Sequence, residues 1–148
     1  MGLADRLQED LKAAMKAREA ERVGLIRLVL SELKNARIAK GSDLGEDDVI
    51  AVLKRGAKMR SESIEQFRRG GREDLAAHEE RELAMLRAYL PEPLTGAALA
   101  AVVDEAVRAT GASSPKDMGA VMKAVLGEHG SRVDGKEVQA LVRARLGG

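Results

Sequence analysis

Tyr89-Leu90-Pro91-Glu92-Pro93-Leu94 ends one run of helices and precedes another. Each proline lacks a backbone donor, and the residue before a proline avoids helical angles. A helix arriving through Leu75, Leu83, Leu86 and Leu90 therefore stops here. The hexapeptide also supplies the expected domain boundary, with residues 1–92 in front of it and residues 93–148 behind.

Helical spacing recurs throughout the front segment, and period-two alternation is almost absent. Leu3, Leu7, Leu11, Ala14 and Met15 line one face of a first helix. A second begins near Ala20, carries Leu25, Ile26, Val29, Leu30, Leu33 and Ala36, and stops where Gly41 follows the basic Lys40. Glu46, Asp47 and Asp48 place acid at the positive end of a third helix dipole. Its stripe is Val49, Leu53, Ala57, Ile64 and Phe67, interrupted by Arg60. The expected accommodation is an aliphatic stem along apolar surface with the guanidinium in water. Gly70-Gly71 turns the chain into the fourth helix.

Three shorter helices are predicted behind the boundary. Leu99, Val102, Val103, Ala106 and Val107 form the stripe of the first. Ser114-Pro115-Lys116-Asp117 opens the second, with a capping serine followed by proline at the first helical position. Its stripe is Met118, Val121, Met122 and Val125. Asp134, with Glu137 three residues on, opens the third, which carries Val138, Leu141, Val142 and Leu146. Segments this short are marginal in isolation and must pack to persist.

Composition agrees. Of 148 residues, 45% are hydrophobic, but Phe67 and Tyr89 are the only aromatics, which leaves aliphatic helices rather than aromatic-rich sheet as the core. The predicted fold class is all-α, with a helical amino-terminal domain of about four helices and a small three-helix tail. The lack of cysteine excludes a disulfide scaffold, a thiolate nucleophile and a cysteine-ligated zinc site. No apolar run approaches the roughly 20 residues of a membrane span, and the start is not basic-then-apolar. The expectation is a cytoplasmic chain with no membrane partner.

The pattern holds little chemistry. His78-Glu79-Glu80-Arg81-Glu82 starts like a zincin helix but lacks a second histidine, so no metal site is expected. No glycine-rich phosphate cradle is present, and no cofactor is implied. Carboxylates sit beside arginine or lysine at helical spacing, the pattern of surface pairs, so no catalytic residue stands out. The net charge of +1, from 25 basic and 24 acidic residues, leaves room only for a local basic patch. Candidates are Lys34, Arg37 and Lys40; Lys54, Arg55, Lys58 and Arg60; and Arg68, Arg69 and Arg72. In the tail, Lys116 and Lys123 lie two turns apart and share a face.

Three segments together resemble the GatB/YqeY family: Tyr89 to Leu94, Lys116 to Lys123, and Arg132 to Val138 running into Leu141, Val142 and Leu146. Ala14-Met15-Lys16 and Leu25-Ile26-Arg27-Leu28 are similar to it as well, so the resemblance spans nearly the whole chain. The sequence departs from the family pattern at Ser131, between Gly130 and Arg132, and at Pro93. The resemblance implies a free-standing YqeY-like protein whose tail matches the one ending the B subunit of tRNA-dependent amidotransferase, where it helps to hold tRNA. It brings a label of carbon–nitrogen ligase with glutamine as amide donor, but the catalytic cradle of that subunit has no counterpart here.

What the resemblance implies is a tRNA-associated accessory protein. Lys123 is the residue best carried over as a tRNA contact, joined by Lys116, Arg132, Lys136 and Arg143. An amidotransferase or an aminoacyl-tRNA synthetase is the implied protein partner. The alternative is a helical protein–protein interaction module without nucleic-acid binding, which predicts an exposed apolar patch near Val121 to Leu126.

Overall fold

Several helix ends in this chain are set by glycine or by short acidic side chains. The computed structural model describes residues 2–147. Among them are seven helices: α1 (Leu3–Ala17), α2 (Ala20–Lys40), α3 (Glu46–Arg69), α4 (Glu73–Arg87), α5 (Gly96–Thr110), α6 (Met118–His129) and α7 (Gly135–Leu146). Single 3-10 turns occupy Pro115–Asp117 and Gly130–Arg132. The fold is all-α, with no strand among the described residues. The chain divides into two compact units, Met1–Leu90 and Pro91–Gly148.

In the front unit, Gly41 ends α2 at φ +79 and donates to Arg37 O at 2.9 Å. Left-handed angles of this kind cost glycine nothing. Asp48 accepts from Gly45 N at 2.9 Å at the start of α3. Glu46 lies in the first turn of α3 as expected, and its Oε1 also accepts from Leu3 N at 2.9 Å, so it caps α1 as well. The α1–α2 turn has no glycine, and Arg18 takes φ 59 there. α3 and α4 form a hairpin over Gly70-Gly71, with Gly71 at φ +72.

The main core of this unit joins Leu3 and Leu7 of α1, Leu25, Ile26, Val29 and Leu33 of α2, Val49, Val52 and Leu53 of α3, and Leu86 and Tyr89. Ile64, Ala76 and Leu83 make a smaller cluster between α3 and α4. Full burial of each such leucine stabilises by roughly 1.5–3 kcal/mol. Two positions depart from the expected stripes. Met15 is 49% exposed, because the stripe of α1 follows Leu3, Leu7 and Ala14 around the helix. Arg60 is only 8% exposed rather than reaching water. Its Nη1 donates to Gly56 O at 3.1 Å, and its Nε lies 3.8 Å from Glu82 of α4. Held between the Gly56 carbonyl and Glu82 of α4, the guanidinium stays inside the helix pair.

The tail unit packs α5, α6 and α7 around nine buried residues, six of them valine: Val103, Val121, Val125, Val133, Val138 and Val142. Leu94 N donates to Arg132 O at 2.7 Å, fastening the entry segment. At Ser114 the chain makes a 3-10 turn before α6 starts at Met118. The Asp117 carboxylate reaches back to Ser113 N at 2.9 Å and Ser114 N at 3.2 Å. Asp134 caps α7 by accepting from Lys136 N at 2.8 Å.

Candidate functional site

In the front unit the cluster Arg68, Arg69 and Arg72 is neutralised within the fold, as are Arg37 and Lys40, whereas Lys34, Arg55 and Lys58 are exposed without an acidic partner among the described residues. Arg68 contacts Glu73 at 3.3 Å and Glu80 at 2.5 Å. Arg69 meets Glu65, Arg72 meets Asp74, and Arg37 meets Asp43. Lys40 lies 2.6 Å from Asp48 and, with the Gly45 amide, holds that carboxyl below the usual range. Arg81 and His78 do the same for Glu21, at 2.9 and 3.1 Å. His78 Nε2 also faces Glu82 of its own helix at 3.4 Å, while the Glu21 contact ties α4 to α2. Among the described residues no group of three or more histidines and carboxylates is placed to hold a metal ion. No helix among them is long and apolar enough to cross a membrane.

The tail sorts its cations differently. Arg108 is paired with Glu105 at 2.5 Å and Arg145 with Asp104 at 2.5 Å. Arg132 is half-buried, and its Nε donates to Glu92 O at 2.8 Å, which gives it a structural task at the entry to the unit. Lys116, Lys123, Lys136 and Arg143 are exposed, and none has an acidic partner among the described residues. Lys116 lies in the 3-10 turn and Lys123 on α6, seven residues apart. Lys136 and Arg143 repeat that spacing along α7, which places them on one face of that helix. Asp117, beside Lys116, and Asp134, two residues before Lys136, are turned onto backbone amides. They cannot fold back onto the lysines without giving up those caps.

The apolar patch expected by the interaction-module reading does not form. Val121 and Val125 are fully buried, Met118 and Met122 pack against the same core, and among the large apolar side chains from Met118 to Leu126, Leu126 alone is exposed. Sequence reasoning overlooked a second feature, in the front unit. Arg6, Asp10, Arg22 and Tyr89 gather at the rim of a cavity there. Their spacing carries no motif, because α1, α2 and the turn after α4 contribute them.

A family model described as Yqey-like protein matches residues 4–146. A protein of Pyrenophora tritici-repentis, Altered inheritance of mitochondria protein 41, mitochondrial, is 30% identical over 95% of this chain and 81% of its own length. Proteins of the same name from Lachancea thermotolerans and Vanderwaltozyma polyspora are 39% and 36% identical over 57% of this chain. The chain spans about half the length of these two yeast relatives, 46% in each case. Their names overturn the expectation of a cytoplasmic chain, since the relatives are named as mitochondrial proteins. That expectation rested on the lack of a membrane span and of a secretory start, and neither feature distinguishes the cytoplasm from the interior of an organelle. Matched along almost its whole length and built as two helical units, the chain belongs to the YqeY-like family.

Proposed function

We propose that the tail unit is an RNA-contacting surface and that the protein is a tRNA-associated accessory factor, with any chemistry performed by a companion enzyme of the amidotransferase type. One observation supports this reading: Lys116, Lys123, Lys136 and Arg143 are exposed without acid partners among the described residues, whereas Arg108 and Arg145 of the same unit are neutralised. Phosphate contacts ask for this kind of arrangement, cations on a rigid frame and open to solvent. The scarcity of aromatic residues fits contact with a folded backbone better than base stacking. The choice of tRNA among RNAs rests on the resemblance of the tail to that of the amidotransferase B subunit. Arg132 drops out of the contact set, since its guanidinium serves Glu92.

Filter binding with unfractionated tRNA tests the reading. Four phosphate contacts predict about a hundredfold loss of affinity between 50 and 200 mM salt. Lys123→Ala should weaken binding across all tRNAs and reduce the log–log salt slope by about one. Absence of binding at low salt, or a slope unchanged in Lys123→Ala, rejects the proposal.

A further inference from the structure

Within the front unit, α1, α2 and α4 enclose a cavity of about 320 Å³. Its floor is hydrocarbon, from Leu25, Ile26 and Met85, and its rim is polar. The rim charges do not cancel. The Asp10 carboxylate accepts a hydrogen bond from the Tyr89 hydroxyl and lies 3.7 Å from the Arg22 guanidinium. Asp10 is thereby engaged by one hydrogen-bond donor and one neighbouring cation. Arg6, one turn before it on α1, has no acidic partner among the described residues. Its guanidinium sits 5.3 Å from the centre of the Tyr89 ring. A ring face attracts a cation but offers no lone pair, so the N–H donors of Arg6 remain unspent. The result is one surplus positive charge beside an apolar floor, in a concavity of the size that small ligands use.

We propose that this cavity binds a small carboxylate with an aliphatic body, the head group on Arg6 and the hydrocarbon on Leu25, Ile26 and Met85. A guanidinium fork matches a carboxylate with two parallel hydrogen bonds, which neither an alcohol nor an ammonium ion can accept. An ammonium ion would face Arg6 and Arg22 with Asp10 already engaged. Unlike the tail proposal, this one needs no RNA, so each can fail alone.

The chain holds one tyrosine and no tryptophan, so its ultraviolet emission comes from the rim of this cavity. Hexanoate, hexanol and hexylammonium are the probes, titrated separately at millimolar concentration against the full chain. Hexanoate should change Tyr89 emission saturably, with both other probes at least tenfold weaker. Arg6→Gln should weaken hexanoate at least fivefold while leaving hexanol unchanged. Ala88→Leu, which narrows the cavity with Arg6 intact, should weaken hexanoate as well, and circular dichroism checks that both variants keep their helices. No saturable response to hexanoate, equal responses to all three probes, or hexanoate binding unchanged in Arg6→Gln overturns the proposal.

Discussion

Arg60 sits in the core stripe of α3 with its Nε buried and without a hydrogen bond. Its carboxylate partner Glu82 is 3.8 Å away, a long contact for so dry a place. Removing one member of a buried pair leaves the other unpaired, whereas replacing the pair with hydrocarbon restores packing. Glu82→Ala should therefore cost about 3 kcal/mol in urea denaturation, and Arg60→Met with Glu82→Leu should recover most of it. Sequence spacing exposed Arg60 as an irregularity, but its partner depends on the register of α3 against α4, which no local pattern encodes. Tyr89 offers a second measurement. Burial, then its bond to Asp10, raises the phenol above its ordinary value of 10.0. A group whose folded pKa is raised stabilises below its unfolded pKa and loses that contribution as pH climbs through the folded one. Ultraviolet titration should thus find the single tyrosine ionising above pH 10, and Tyr89→Phe should lessen the alkaline loss of stability that begins there.

Helix ends were legible wherever glycine or a capping side chain marks them, as at Gly41, Gly70-Gly71 and Asp134. They were less so where the turn is built from ordinary residues. Arg18 donates to Met15 O at 3.2 Å from left-handed angles that a β-carbon disfavours. Arg18→Gly should accordingly raise stability by about 0.5–1 kcal/mol, seen as a higher denaturation midpoint. Asp134→Ala should lower it by about 1 kcal/mol, since the Lys136 amide loses its acceptor. Ser114-Pro115 shows the limit of signature reading. The residues that announce a helix produce a 3-10 turn first, because the Asp117 carboxylate takes the amides of Ser113 and Ser114.

At the scale of the molecule the all-α class followed from periodicity and from the shortage of aromatic residues. The cations of the candidate site were legible as residue types, but their freedom was not. Whether a lysine is neutralised depends on where each carboxylate is held, and Asp117 and Asp134 are held by backbone. The two units build their cores from separate residues. Leu99→Ala should cost about 3 kcal/mol in the tail, and hydrogen exchange should find its amides less protected while those of Leu7 and Ile26 stay as they were. That tail core is also mostly valine. On a helix a valine is confined to nearly one χ1 well even before it meets a neighbour. Folding therefore freezes little that was still free, and twelve-residue helices that would fray alone close at small entropic cost. The same stiffness leaves the flexible stems of Lys116, Lys123, Lys136 and Arg143 as the chief moving parts of an otherwise set surface.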